Sequence, residues 1–470
     1  MDNTQGFKGR RISVIGAARS GIAAARALAQ RGATVLLSDS APESQVGERA
    51  LEARASGAQC IFKPTVESAL PNGTDLVVTS PGVPRTAPVL AAAVARGIPV
   101  WSEIELAYRL TSAQTHAVTG TNGKTTTTML LAEMLKRGGR RAIVCGNVSA
   151  DDLKKTLVEA AVEATSGDDI LVAEISSFQL EWVEQFAPRA AILTNITADH
   201  LNRHSSFAEY AETKARIFAA QSSTDWAIVG YDNPASRQIG ERLSVQRRLW
   251  FTTELPPDGE NVAWLDHGAL KVRMLGAESA LMNASDLPAS LPGRHSIANV
   301  LAAAAAALSA GASPDAIADA VREFRGAPHR MEHVADVRGV RYVNNSMCTN
   351  VAAAICSLEA MDRPTVVIAG GADKQLDFAP LAPALRSHAK HLILIGAAAD
   401  KMEAAFRAGG YDSISRSESL EEAVESAAGR ACTGEAVLLS PACASFDMFR
   451  DFEARGAAFR AAVRKLEERS

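Results

Sequence analysis

The stretch "THAVTGTNGKTTTTMLLAEML", residues 115–135, constrains the fold more than any other. A short apolar run breaks at two glycines and a lysine, then passes directly into a helical pattern. Strand, glycine turn and helix in that order make a βα unit of a parallel sheet. Such a turn points backbone N–H groups at one spot, where the helix dipole adds partial positive charge. Lys124 adds a full charge, and Thr125 offers a hydroxyl suited to a magnesium ion that bridges phosphates. Residues Gly120, Thr121, Asn122, Gly123, Lys124, Thr125 and Thr126 are therefore expected to cradle a phosphate chain. The match to G-x-x-x-x-G-K-[ST] is incomplete, because the first glycine position falls on Val118. The plainer alternative is a solvated turn with an incidental lysine.

The same pattern precedes and follows this unit. "RISVIGA", "ATVLLSDS" and "TDLVVTSPGVP" read as buried strands, with "SGIAAARALAQRG" as an intervening helix. After the turn come "RAIVCGN", "DILVAEIS", "AAILTNI" and "DWAIVGY", then a more polar β-like part near 247–275 and a long helix from "GRHSIAN". Past "GAPHRMEHV" the pattern restarts with "VRYVNNS", "RPTVVIAGG", "HLILIGA" and "EAVLLSPAC". Short apolar strands alternating with amphipathic helices predict an α/β protein with parallel sheets and right-handed crossovers. Three domains are expected, over residues 1–110, 111–326 and 327–470: a Rossmann-like domain, a central phosphate-loop domain with a mostly parallel sheet, and a second Rossmann-like domain.

Composition excludes several classes. The 49 Lys and Arg against 53 Asp and Glu leave a net charge of −4, so no basic surface for nucleic acid or membrane is expected. Cys60, Cys145, Cys348, Cys356, Cys432 and Cys443 form no C-x-x-C pair and read as reduced thiols. "MDNTQGFKGRR" lacks the apolar stretch of a secretory signal, and "VLAAAAAALSAGA" is too short to span a bilayer. A cytoplasmic monomer without membrane insertion is expected.

Other candidate residues sit at strand ends, the edge where open α/β sheets bind ligands. "VAEISSFQLE" places Glu174 there, followed by Ser176 and Gln179; "TNITADHLNRH" ends in Asp199 and His200; "ETKARIF" puts Lys214 on the next helix. Each has a bland reading alone: a strand-end cap, a satisfied loop histidine, a surface lysine. In the first domain "GAARSG" resembles G-x-G-x-x-G with Ala18 in the middle place, and Asp39 ends the second strand. That is a weak dinucleotide fingerprint, and NAD(P) binding is a competing reading.

The segments "GTNGKTTT", "EISSFQL", "NITADHLNRH", "GRHSIAN", "PHRMEHV" and "LSPACASFDMF", in that order, resemble the Mur ligases of peptidoglycan precursor synthesis. "SSFQLE" and "SPACASFD" are similar to the glutamate-adding member. The resemblance covers almost the whole chain. It implies a ligase that uses ATP to phosphorylate the carboxylate of UDP-N-acetylmuramoyl-L-alanine and then joins D-glutamate to it. It implies Lys124, His200 and Lys214 as catalytic residues. Two Mg²⁺ ions would be held by Thr125, Glu174, His200 and Lys214, the lysine being carbamylated. Asn299, His329, Arg330 and Asn345 would meet ATP, with Arg330 reaching phosphate on domain closure.

The resemblance also replaces the dinucleotide with a sugar nucleotide. Gly16, Arg19, Ser20, Asp39, Ser40, Ser80 and Gly82, with Asn147, Ser176 and Gln179, would face its uracil, diphosphate or sugar. Glutamate would be held by Thr349, Lys374, Ser445, Phe446 and Phe452, a cation and hydroxyls around a dicarboxylate. Here the chain departs from the family. The usual N-D-S-K-A-T-N is "NNSMCTN", with Asn345 for an aspartate, Met347 for a lysine and Cys348 for an alanine. Asn202 also stands where an aspartate is common. One acid and one base are lost together, as when an ion pair is replaced as a unit. Either the chemistry is unchanged, or the amino-acid choice has moved, for example to L-glutamate. A nicotinamide oxidoreductase would leave the phosphate loop unexplained, a non-catalytic scaffold the lysine–carboxylate–histidine set, and a folate-type polyglutamate ligase "SPACASFD".

Overall fold

The apolar runs of the first hundred residues become β1 (Arg11–Ile15), β2 (Thr34–Asp39), β3 (Gln59–Phe62), β4 (Leu76–Thr79) and β5 (Val100–Ser102). They pair in the order β3-β2-β1-β4-β5, every pair parallel. β4 is buried along its whole length, as expected of a strand covered on both faces. The order reverses between β1 and β4, which opens a crevice beyond their carboxyl ends. The helix Arg19–Gln30 starts against that crevice. A Cβ on Gly21 would lie 1.8 Å from the Gly16 carbonyl oxygen, so only glycine lets the helix approach this closely. The computed structural model describes residues 6–148, 155–200, 203–244, 247–259, 261–288, 290–326, 328–373 and 375–469.

The central sheet contains β6 (Gln114–Thr119), β7 (Ala142–Gly146), β8 (Ile170–Glu174), β9 (Ala190–Leu193), β10 (Trp226–Gly230), β11 (Arg247–Thr252), β12 (Val262–Asp266), β13 (Ala269–Met274) and β14 (Ala277–Asn283). Its order is β14-β13-β12-β11-β10-β9-β6-β8-β7. The pairs from β7 to β12 are parallel, and β12 meets β13 antiparallel through His267 and Gly268, both at positive φ as a tight hairpin requires. β6 lies between β8 and β9, so its following turn faces a second reversal of strand order. Gly123 opens the helix Lys124–Arg137 at φ 84°, and a Cβ there would lie 2.3 Å from Asn299 Oδ1.

A third sheet is built from β15 (Glu332–Val337), β16 (Val340–Asn344), β17 (Thr365–Gly370), β18 (Ala389–Ile395), β19 (Ile414–Arg416) and β20 (Ala436–Leu439). The order is β15-β16-β20-β17-β18-β19, with only the β15–β16 edge pair antiparallel. The architecture is the α/β class with parallel-rich sheets that the strand–helix alternation predicts. Contacts gather the chain into two units, Met1–Met282 with Ala298–Val321, and Asn283–Ile297 with Arg322–Ser470. The first unit holds the first two sheets. They are joined where Ser102 N donates to Trp182 O at 3.0 Å, and where the Glu105 carboxylate accepts from the backbone N–H groups of Glu184, Gln185 and Phe186. Among the described residues no helix is long and apolar enough to cross a membrane.

His116 lies inside β6 with neither ring nitrogen hydrogen-bonded to a described group, and burial lowers its pKa to about 4. The unfolded ring takes up a proton near pH 6.5 and the folded one only near 4. The unfolded state therefore binds more protons across that window, and stability falls as pH drops from 6.5 towards 4. The loss attributable to His116 is about 3 kcal/mol. Denaturant unfolding of His116→Leu should show a weaker loss over that window than the parent chain.

Candidate active site

The phosphate loop is braced from β9 and the segment after it. Thr194 Oγ1 donates to Asn122 O at 2.7 Å, Asn195 Oδ1 accepts from Asn122 N at 3.0 Å, and Thr121 N donates to Asn195 O at 2.8 Å. Thr121 Oγ1 lies 3.1 Å from the Tyr210 hydroxyl. These contacts hold the loop rigid before any ligand arrives. Lys124 Nζ donates to Thr121 O at 2.8 Å, which folds the ammonium back over the loop. Asn299 sits below the loop and its Oδ1 accepts from Thr127 Oγ1 at 3.3 Å.

Glu174, at the end of the fully buried β8, accepts from Thr125 Oγ1 at 2.7 Å and from Asn147 Nδ2 at 3.3 Å. Strand periodicity places it beside the loop because β8 pairs directly with β6, Val118 opposite Glu174. Lys214 is buried on the helix Phe207–Ala215, and its Nζ donates to Gly120 O at 2.8 Å. Burial, then the ammonium of Lys124, hold Lys214 well below the ordinary lysine pKa, with Asp199 and Glu174 pulling partly the other way. The Nζ also lies 4.7 Å from the centre of the Tyr210 ring. His200 follows Asp199, takes φ 52°, and sets its ring 5.0 Å from that of Phe178. Lys124, Thr125, Glu174, Asp199 and Lys214 thus form one electrostatic cluster at the carboxyl end of β6 and β8, with His200 at its edge.

A cavity of about 400 Å³ occupies the crevice of the first sheet, lined by Gly16, Asp39, Ser40, Ser80 and Gly82. Asp39 accepts from Ala17 N at 2.7 Å and from Ala41 N at 2.9 Å, and Ser80 Oγ donates to Gly16 O at 2.9 Å. The carboxylate therefore closes the turn after β1 as well as facing the cavity. Arg19, at the start of its helix, lies 3.6 Å from Glu159 across an exposed pair, and Ser20 follows it. Ser176 and Gln179 form a capping box. The amide oxygen of Gln179 accepts from Ser176 N at 2.8 Å and Ser176 Oγ at 3.0 Å.

In the second unit His329 is buried at φ 61°, with Nδ1 3.1 Å from Asn344 Nδ2 and its ring edge-on to Phe452 at 6.2 Å. Arg330 Nη2 lies 3.1 Å from Met347 Sδ, and Asn345 Oδ1 accepts from Met331 N at 3.3 Å. Ser445 is buried, Phe446 is exposed, and Thr349 is half-buried. Lys374 and Asn202 lie outside the described residues.

The Mur ligase middle domain matches residues 118–307, the glutamate ligase domain of Mur ligases residues 329–443, and the MurD-like N-terminal domain residues 10–102. A UDP-N-acetylmuramoylalanine–D-glutamate ligase of Pelotomaculum thermopropionicum is 41% identical over 469 residues, spanning 98% of this chain and 99% of the relative. The chain belongs to the Mur ligase family. A ligase of the same name from Thermoanaerobacter pseudethanolicus is 38% identical over 462 residues, with 98% and 99% covered. Among solved structures, a pseudomurein peptide ligase type C from Methanothermus fervidus shares the fold at TM-score 0.59 and 17% identity, over 97% of this chain and 100% of that one. A MurF ligase from Thermotoga maritima in complex with ADP gives 0.58 at 18% identity, over 86% and 92%.

Within this Mur ligase several supporting residues escape sequence reasoning. Tyr210 stands four positions before Lys214 on one helix face, a spacing that could have flagged it. Thr194 and Asn195 carry no such signal, since they meet the loop more than 70 positions away. Arg455 is buried and donates to Ser346 O, Cys443 O and Ala444 O, tying the "NNSMCTN" and "SPACASFD" segments together. At the departures 345 and 347 an amide accepts from the backbone at one and a thioether meets Arg330 at the other.

Proposed function

We propose that this Mur ligase adds D-glutamate to UDP-N-acetylmuramoyl-L-alanine with cleavage of ATP to ADP and phosphate, in the synthesis of peptidoglycan precursors. The observation that carries the mechanism is the cluster at the carboxyl end of β6 and β8, where the phosphate loop, Lys124, Thr125, Glu174 and the buried Lys214 meet. Mur ligases are ATP-dependent, and a loop of this build suits the phosphates of ATP. Residues 1–110 are read as the sugar-nucleotide domain, 111–326 as the ATP domain and 327–470 as the amino-acid domain. The protein works as a cytoplasmic monomer in this reading.

The donor set fits a hard cation. A hydroxyl and a carboxylate 2.7 Å apart, both buried, are oxygen ligands of the kind Mg²⁺ takes. Thr125 and Glu174 would hold one ion and His200 a second, supported by Lys214 as its carbamate. Among the described residues no three His, Cys, Asp or Glu side chains converge as a ready-made metal cluster. That suits sites completed by substrate phosphates. When bound, the ions would neutralise the γ-phosphate and the attacking carboxylate. The chain's own residues do the rest. Lys124 draws the γ-phosphoryl charge towards the loop, and the braced turn holds its backbone N–H groups ready for the phosphates. The carboxylate oxygen attacks phosphorus and ADP leaves. The amine of glutamate then attacks the acyl carbon of the acyl phosphate, and inorganic phosphate departs with the proton lost to solvent.

His329, Arg330, Asn345 and Asn299 are assigned to ATP. Thr349, Lys374, Ser445, Phe446 and Phe452 are assigned to glutamate. The cavity at Gly16, Asp39, Ser40, Ser80 and Gly82, with Arg19, Ser20, Asn147, Ser176 and Gln179, is assigned to the sugar nucleotide. The relatives' names specify D-glutamate, so the L-glutamate alternative is not favoured. Hydroxylamine supplied in place of glutamate should capture the acyl phosphate as the hydroxamate of UDP-N-acetylmuramoyl-L-alanine, with one phosphate released per hydroxamate. ADP formation without hydroxamate would contradict the acyl-phosphate route.

A further inference from the structure

The joint between the first two sheets contains a carboxyl group that the proposed chemistry does not use. Glu103 opens the helix Glu103–Leu110 directly after β5 and is 1% exposed. Its Oε1 accepts from Gln179 Nε2 at 2.7 Å. Its Oε2 is buried without a hydrogen-bond partner among the described residues, as is the hydroxyl of neighbouring Ser102. Burial raises the Glu103 pKa to about 7, only partly offset by the Gln179 amide and the backbone N–H groups at the helix start. A buried, half-satisfied carboxyl costs stability that an apolar side chain at the same place would not. A carboxyl at this joint therefore calls for a use.

The geometry supplies one. A glutamine amide has one acceptor oxygen and two N–H donors. Here the oxygen is committed to Ser176 N and Ser176 Oγ, and one N–H to Glu103. An ionised carboxylate at position 103 favours this orientation of the amide, because a flipped Gln179 would set its oxygen against the Glu103 oxygen and its N–H groups against Ser176 N. We infer that Glu103 is a positioning residue for the sugar-nucleotide substrate, acting through the orientation of the Gln179 amide. The inference rests on the reading that Ser176 and Gln179 face UDP-N-acetylmuramoyl-L-alanine.

Steady-state kinetics and calorimetric binding on the full chain test it with two variants. Glu103→Ala removes the acceptor and should raise KM and Kd for UDP-N-acetylmuramoyl-L-alanine about tenfold, the size of one buried hydrogen bond, with KM for ATP and kcat changed less than about twofold. Glu103→Gln keeps an acceptor oxygen and should return the sugar-nucleotide constants to within about twofold of the parent. A merely structural role would move the constants for ATP and the sugar nucleotide together, and that result would overturn the inference. Unchanged sugar-nucleotide binding in Glu103→Ala, or equal impairment in both variants, would also overturn it. Failure of the parent chain itself to bind the sugar nucleotide would instead refute the underlying substrate reading, and the inference with it.

Discussion

Lys124→Ala is expected to lower turnover by about 10²–10³-fold or more, with thermal unfolding unchanged. The lysine is half-buried and donates to Thr121 O within its own loop. The loop keeps its shape through Thr194, Asn195 and Tyr210, none of which depends on the ammonium. The fold therefore loses little, while the γ-phosphoryl group loses the nearest full positive charge during transfer. The effect should fall on kcat more than on KM for ATP, since new negative charge builds up on the departing ADP oxygen beside the transferring group only as that bond breaks. Scanning calorimetry together with steady-state phosphate release checks both halves. Retention of full activity in a folded variant would remove the loop from the chemistry.

Lys214 should behave differently under conservative replacement. Its depressed pKa favours the neutral amine, the form whose Nζ lone pair attacks carbon dioxide; the nitrogen then gives its proton to solvent and leaves a carbamate anion. The neutral fraction grows as pH rises through the lowered pKa, so carbamate formation needs no strongly alkaline medium. Arginine stays protonated and cannot take this path. Lys214→Arg is therefore expected to lose activity as fully as Lys214→Ala, about 10²–10³-fold. Isotopically labelled carbon dioxide should give a carbamate signal in the parent chain that is absent from both variants. Substantial activity in Lys214→Arg would show that a plain cation suffices, and no labelled signal in the active parent would remove the modification.

The phosphate loop was legible in sequence because its cause is local. A strand, two glycines, a lysine and a helix start lie within twenty positions, and Gly123 has to be glycine for both its φ and its approach to Asn299. Glu174 was legible from its place at the end of a continuous apolar strand. Residues that act across long separations were not legible. Thr194 and Asn195 brace the loop only because β9 pairs with β6, and no periodicity in "AAILTNI" announces that pairing. Asp39 illustrates a mixed case. Its position at the end of β2 suggested a ligand contact, whereas the structure adds a role in closing the Gly16 turn through Ala17 N and Ala41 N. Glu103 had no signal at all, since its burial arises from the packing of one sheet against the next. The replacements at Asn345 and Met347 read as a lost ion pair. In the fold they meet a backbone N–H and a guanidinium.

Phosphate release by the purified chain with ATP, Mg²⁺ and UDP-N-acetylmuramoyl-L-alanine, run with D-glutamate and L-glutamate in parallel, is the most direct measurement. Release that depends on D-glutamate and is absent with L-glutamate is predicted, which would make "NNSMCTN" a tolerated rewrite of the family's usual segment. Release with L-glutamate alone, or with neither amino acid, would contradict the assigned reaction.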